Sequence, residues 1–148
     1  MPSNLQHRNL PRLLLQAREA VLAHTQPDLR RHGLSDQQWR VLRVLVEQAE
    51  RPGGTDTGEV AREAHLLGPS LTGVLNRMER DGLVSRQRCP TDGRRTLVSA
   101  TPRGLAMAQA LVDAIESHYQ RVEAHLGATA LTQLHHLLNL VVALEPTP

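Results

Sequence analysis

The stretch from residue 57 to residue 100 changes its hydrophobic period, and few folds accommodate that change. Val60, Ala61 and Ala64 recur at helical spacing over 57–65. A tight break, LLGP, follows, and Pro69 suits the first position of a second helix over 69–81. Leu71, Val74, Leu75 and Met78 form the inner face of that helix, and Gly82 ends it. From there the pattern is that of strands. LVSRQRC (83–89) and TLVSA (96–100) flank PTDGRR, with Asp92-Gly93 as the turn signal. Two short helices about a tight turn, closed by a hairpin, are the layout of a winged helix-turn-helix.

The flanks read as helix. Leu10, Leu13, Leu14, Ala17 and Val21 carry an apolar stripe over 10–31; Pro11 suits its first turn and Pro27 predicts a kink or interruption near its end. Gly33 stops it, and Ser35 caps a second helix over 36–49. Trp39, Leu42, Val46 and Ala49 line one side of that helix, and Val41, Val44 and Leu45 widen it. A short helix so apolar predicts a central, buried position. RPGGTDT (51–57) reads as loop, and Asp56 with Glu59 resembles a capping box. Thr101-Pro102 opens a long helix carrying Ala108, Leu111, Val112, Ile115, Tyr119 and Val122. Gly127 breaks it, and Thr129 is the expected cap of a last helix with Leu131, Leu134, Leu138 and Val141 on one face.

Composition agrees with a helical fold. There is no Phe, one Trp and one Tyr, so aliphatic side chains must fill the core. The expected fold class is mainly α with a small β-hairpin wing. A length of 148 residues predicts one domain. No apolar run is long enough to span a bilayer, and the first sixteen residues lack the features of a signal peptide. The single cysteine, Cys89, cannot form an internal disulfide. These features predict a cytoplasmic protein.

Charge points to a polyanion. All 17 basic residues are Arg, although codon bias in a GC-rich genome accounts for most of that. Their placement says more: residues 62–103 hold eight Arg against four acids, and the remainder nine against eleven. Opposite its apolar face, the 69–81 helix presents Ser70, Thr72, Gly73, Asn76, Arg77 and Arg80, with no acid among them. Asn pairs with adenine and Arg with guanine in the major groove. Gly73 costs about 1 kcal/mol relative to Ala inside a helix, so close approach to DNA or to a neighbouring helix is expected there. Arg86, Arg88, Arg94 and Arg95 lie on the hairpin, where adjacent arginines at a tip suit a narrow minor groove. Asp92 fits as a brace for the turn backbone or for Arg94 or Arg95.

PSLTGVLNRMERDGLV followed by DGRRTLVSATPRG resembles the MarR-type regulators, dimeric winged-helix transcription factors of prokaryotes. Leu71, Thr72, Leu75 and Arg77, then Gly82-Leu83, match that pattern, as do Asp92, Arg94, Thr101 and Gly104 in the wing and beyond. LLQAREA (14–20) and QQWR (37–40) resemble the branch that regulates homoprotocatechuate, or aromatic-acid, degradation operons. Gly93 departs from the family, whose members often carry a larger polar residue there.

The resemblance implies double-stranded DNA as partner, with a pseudo-palindromic operator met by Pro69, Ser70, Thr72, Asn76 and Arg77 in the groove and Arg94 and Arg95 at the wing. It implies one domain over 1–148, a DNA-binding lobe over 35–100, and dimerisation helices over 8–31 and 101–145. Leu111, Ile115, Leu131, Leu134 and Leu138 are the expected homodimer interface. It implies a repressor released by a small aromatic acid such as 4-hydroxyphenylacetate or 3,4-dihydroxyphenylacetate. Such a ligand needs a cation and an apolar wall. Arg18, beside the Ala17–Val21 stripe, is the expected cation, with Arg12 second, and Trp39 is the expected wall. The competing reading for Arg18 is an ion pair with a protein acid such as Glu19 of a second chain.

Other functions are less well supported. Cys89 beside Arg88 fits a redox switch less well than a structural role. His118, His125, His135 and His136 offer no pair four residues apart for a metal. No nucleophile elbow, phosphate loop or HExxH motif is present, so neither an enzyme nor a cofactor is expected. A ligand-independent DNA-binding protein is the closest rival.

Overall fold

The computed structural model describes residues 9–147. Residues 1–8 and 148 lie outside the described residues, and with them the outer bounds drawn at 1, 8 and 148 and the start of the stretch read for a signal peptide.

Side-chain caps start four helices. Asn9 accepts from the Arg12 N–H and starts α1 (Leu10–Arg31). Ser35 and Gln38 form a reciprocal capping box at the start of α2 (Asp36–Glu47). Asp56 accepts from the Gly58 N–H and starts α3 (Thr57–Ala64). Glu59, the expected other half of a box there, instead pairs with Arg51 at 2.7 Å. Pro69 sits in the first turn of α4 (Gly68–Arg80). Thr101 caps α5 (Pro102–Leu126) through the Gly104 N–H. Before α6 (Ala128–Val142) the cap is Gly127, at φ +86°, so Thr129 lies inside the helix and caps nothing. Nor does Pro27 break α1. Leu29, 2% exposed, anchors the turn beyond it, and Asp28 pairs with Arg31 across that turn.

The hairpin strands are β2 (Val84–Arg88) and β3 (Thr96–Ala100), antiparallel with Arg86 opposite Val98. A further strand, β1 (Thr55–Asp56), pairs with β3 inside the stretch expected to be loop, giving the order β1-β3-β2. Gly54 makes this possible: at φ +104°, its Cβ position lies 2.6 Å from the Val98 carbonyl oxygen, where no side chain fits. Gly104 serves α5 in the same way. A Cβ there would meet the Leu83 carbonyl oxygen at 2.2 Å, so only glycine lets α5 settle on the start of the hairpin. Thr101 locks that junction, its hydroxyl donating to the Gly82 carbonyl and its N–H to the Leu83 carbonyl.

The core is aliphatic, as the composition requires. Val41 and Leu42 of α2, Val60 of α3, Val74 and Met78 of α4, Val98 of β3 and Leu111 of α5 are sealed from solvent. α2 lies at its centre, touching α1, α3, α4, α5 and β3. The terminal helices are unlike this core. α6 buries no residue, and Leu134, Leu137, Leu138 and Leu140 lie exposed on it; Leu10, Leu13 and Val21 do so on α1.

Candidate functional site

α3 closes on His65 in the left-handed region, at φ 53°, and the chain turns into α4. Because α4 commits Leu71, Val74, Leu75 and Met78 inward, helical geometry puts Pro69, Ser70, Thr72, Gly73, Asn76, Arg77 and Arg80 outward, and all are exposed. No acid stands in its first turn to oppose an anion at the helix N-terminus. Apart from its chain neighbours and the backbone of its own helix, nothing lies within 4 Å of the Cβ position of Gly73, so packing inside this chain does not require the glycine. Arg77 makes no ion pair among the described residues.

The wing turn differs from the two-residue hairpin that Asp92-Gly93 predicts. The Arg95 N–H donates to the Asp92 carbonyl, the Cys89 N–H donates to the Arg95 carbonyl, and Gly93 keeps an ordinary φ. Asp92 braces the backbone, its carboxylate accepting from the Arg94 N–H at 3.1 Å. Arg95 is not free at the tip. Its Nε donates to Asp56 at 2.9 Å, tying the wing to the cap of α3 and holding that carboxyl below the ordinary Asp range. Arg86 is similarly held, by Glu79 at 3.0 and 3.2 Å and by the Asn76 carbonyl at 2.8 Å. Arg88 and Arg94 are the hairpin arginines without an ion pair among the described residues. Cys89 is buried. Hydrogen bonds from the Thr91 hydroxyl and the turn backbone hold its thiol below the usual range.

A second site lies between the terminal helices and this lobe. α1, α2 and α5 enclose a cavity of about 240 Å³. Val21, Leu22, Ile115 and Val122 supply apolar wall, Trp39 and Tyr119 supply rings, and Arg18, Arg40 and Arg43 bring three guanidiniums. Asp36 is the one carboxylate among the described lining residues. Arg18 Nη2 reaches it at 2.6 Å, and Arg40 Nε lies 3.3 Å from the same oxygen. Arg43 pairs with Glu47 at 3.0 Å. With more cations than anions, and a volume below the roughly 300 Å³ at which drug-sized pockets begin, the cavity suits a small, single-ring acid. His118 borders it too, its Nε2 2.6 Å from Asp28 and its Nδ1 buried without a partner.

The structure lines one cavity with both Arg18 and Trp39, and it pairs Arg18 with Asp36 of its own chain. It leaves Arg12 exposed in the first turn of α1, outside the cavity. Sequence reading missed Arg40, Arg43 and Tyr119. The signal was the i, i+3, i+4, i+7 row of Asp36, Trp39, Arg40 and Arg43 on α2, hidden because that helix reads as apolar nearly all round. Two expected interface residues are corrected: Leu111 and Ile115 are buried in their own protomer's core, 0% and 9% exposed, because that stripe of α5 packs inward. Leu131 is half-buried, and Leu134 and Leu138 are exposed. Among the described residues, no three His, Cys, Asp or Glu side chains converge to hold a metal, and no helix is long and apolar enough to cross a membrane.

Known proteins resemble this chain in sequence and fold. The model of the MarR family matches residues 32–95. The homoprotocatechuate degradative operon repressor of Escherichia coli is 42% identical over 138 residues, 93% of this chain and 90% of that protein. The HTH-type transcriptional regulator FarR of Neisseria gonorrhoeae is 34% identical over 98% of this chain and 97% of its own length. The crystal structure of NadR in complex with 4-hydroxyphenylacetate superposes with a TM-score of 0.81 at 34% identity, covering 98% of this chain and all of that one. With sequence and fold matched almost end to end, the chain belongs to the MarR family of winged-helix transcriptional regulators.

Proposed function

We propose that this protein is a repressor of an aromatic-acid catabolic operon, released from its operator by a small phenolic acid such as 4-hydroxyphenylacetate or 3,4-dihydroxyphenylacetate. The whole chain, 1–148, acts as one MarR-type domain: residues 35–100 bind DNA, and 8–31 and 101–145 build a homodimer. Exposed leucines on α1 and α6, including Leu134 and Leu138, supply the apolar surface of that dimer. Burying each fully contributes about 1.5–3 kcal/mol. Two α4 helices about a two-fold axis then meet half-sites of a pseudo-palindrome one helical turn apart. Pro69, Ser70, Thr72, Asn76 and Arg77 face the major groove. Arg94 enters the minor groove, and Arg95, tied to Asp56, holds the wing in place.

The observation that carries the ligand half of this reading is Arg40. It lines the cavity from α2, and its Nη1 donates to the carbonyls of Ala64 and His65, at the turn between α3 and α4. An acid that draws on the Arg18–Asp36–Arg40 cluster therefore pulls on the helix-turn-helix itself. Such an acid releases DNA only if it prefers the conformation that does not fit the operator. A footprint on the DNA upstream of the protein's own gene, with and without a panel of aromatic acids, tests the reading. A protected palindrome that one phenolic acid clears supports it; a footprint indifferent to every acid points to a ligand-independent DNA-binding protein.

A further inference from the structure

The cavity between α1, α2 and α5 gathers unpaired polar atoms as well as charge. Among the described residues, two buried side-chain nitrogens have no hydrogen-bond partner, Arg40 Nε and His118 Nδ1, and both belong to residues that line this one cavity. Arg40 Nε lies 3.3 Å from an Asp36 oxygen yet makes no hydrogen bond. A polar atom withheld from water and left unpaired destabilises a fold, and native proteins keep few of them. Two at one cavity point to a ligand that supplies both partners.

The partners required are opposite in kind. A guanidinium nitrogen only donates, so Arg40 needs an acceptor, which a carboxylate provides. His118 needs the reverse. Its Nε2 lies 2.6 Å from an Asp28 carboxylate oxygen. That bond foremost, with the charge of Arg31, holds the Asp28 carboxyl below its ordinary range, so Asp28 is ionised and can only accept. The ring proton therefore sits on Nε2, and in the neutral ring Nδ1 keeps a lone pair and no hydrogen. Its partner must be a donor. Thr25, on the same wall, is not that donor, because its hydroxyl donates to the Leu22 carbonyl.

We infer that His118, oriented by Asp28, accepts a hydrogen bond from the ring hydroxyl of an aromatic acid whose carboxylate engages the Arg18–Asp36–Arg40 cluster. His118 thereby selects hydroxylated rings over bare ones. The inference rests on the cavity being the acid site. Asp28 is a positioning residue: it sets which nitrogen of His118 carries the proton.

Calorimetric titration of the full-length protein at about pH 8, above the ordinary His range, tests it with phenylacetates that differ only at the para position. 4-Hydroxyphenylacetate offers a strong donor there, 4-aminophenylacetate a weaker one, and 4-fluorophenylacetate none. The parent should bind the hydroxy acid at least about tenfold more tightly than the fluoro acid, with the amino acid between them. In His118→Phe, which keeps a ring but no nitrogen, the affinities should fall within about threefold of one another. Ratios within one protein cancel any general loss of affinity. A second measurement needs no variant. Nitrogen-15 shifts of the His118 ring should show Nε2 protonated and Nδ1 bare in the free parent, and Nδ1 should respond to the hydroxy acid but not to the fluoro acid. Equal affinities in the parent, a preference that persists in His118→Phe, or an Nδ1 that carries a proton or ignores the hydroxyl overturns the inference while leaving the cavity as the acid site. If none of the acids binds, the reading of the cavity fails as well.

Discussion

α4 and α6 are close in length, 13 and 15 residues, and each carries an apolar stripe at helical spacing. α4 sinks its stripe into the core of its own protomer, with Val74 and Met78 sealed from solvent. α6 buries no residue. The faces turned to solvent are therefore opposite in kind. α4 shows hydroxyls, an amide and guanidiniums; α6 shows leucines. Amphipathic periodicity fixes which residues share a face, but not whether the chain itself supplies the surface that covers it. In the proposed repressor, the face of α4 is completed by DNA and that of α6 by a second protomer.

The largest expected effect breaks the α6 side. Leu134→Asp places a charge on a face meant for burial, and an uncompensated buried charge costs roughly 3–5 kcal/mol per copy. The variant should be monomeric or insoluble in sedimentation. A dimer that persists at nanomolar concentration contradicts this interface. On the α4 side, Leu75→Ala removes a side chain 2% exposed and should cost about 2–5 kcal/mol of folding stability in urea denaturation. A loss well below that range means α4 is not anchored as described. Asn76→Ala sharpens the comparison at the polar face: folding is unchanged, operator binding loses roughly 1–3 kcal/mol, and binding to random DNA barely moves. Equal losses on both DNAs remove Asn76 from the residues that read sequence.

The smallest effect is on pH dependence. The hydrogen bond from Arg95, foremost, lowers the Asp56 carboxyl below its ordinary range. The unfolded chain then binds that proton more readily than the folded one, so stability rises with pH. The contribution is complete above the ordinary Asp range and is lost as pH falls through the depressed folded value. Asp56→Asn keeps a cap for α3 but no charge, so its melting temperature should fall less steeply with acid than the parent's, with dimerisation unaffected. Identical acid limbs contradict the Asp56–Arg95 tie.

Much of this was legible in the sequence. Strong periodicity located α2, α4, α5 and the hairpin to within a few residues, and Ser35, Asp56 and Thr101 marked the caps of α2, α3 and α5. β1 was not legible because two residues are too few to show alternation. Asp92-Gly93 predicts a tight turn, but Asp92 bonds the backbone at Arg94 and the loop widens. Leu111, Ile115 and Leu134 look alike in a helical pattern; only packing separates the first two, inside the protomer, from the third. At the cavity, Arg18 stood out beside an apolar stripe. Arg40 did not, because what distinguishes it is a bond to the backbone at Ala64, 24 residues away.

The central claim is that the cavity and the DNA-reading face are one coupled device, and the Arg18→Ala variant tests it most directly. Removing Arg18 leaves Asp36 with Arg40, whose Nε is 3.3 Å away, so the lobe should fold and bind operator as the parent does. A ligand carboxylate would lose its bidentate partner. In an operator-release titration with 4-hydroxyphenylacetate, or its dihydroxy form, the parent should let go of DNA, and Arg18→Ala should require at least about tenfold more acid. Release at the same acid concentration in both proteins would contradict the account.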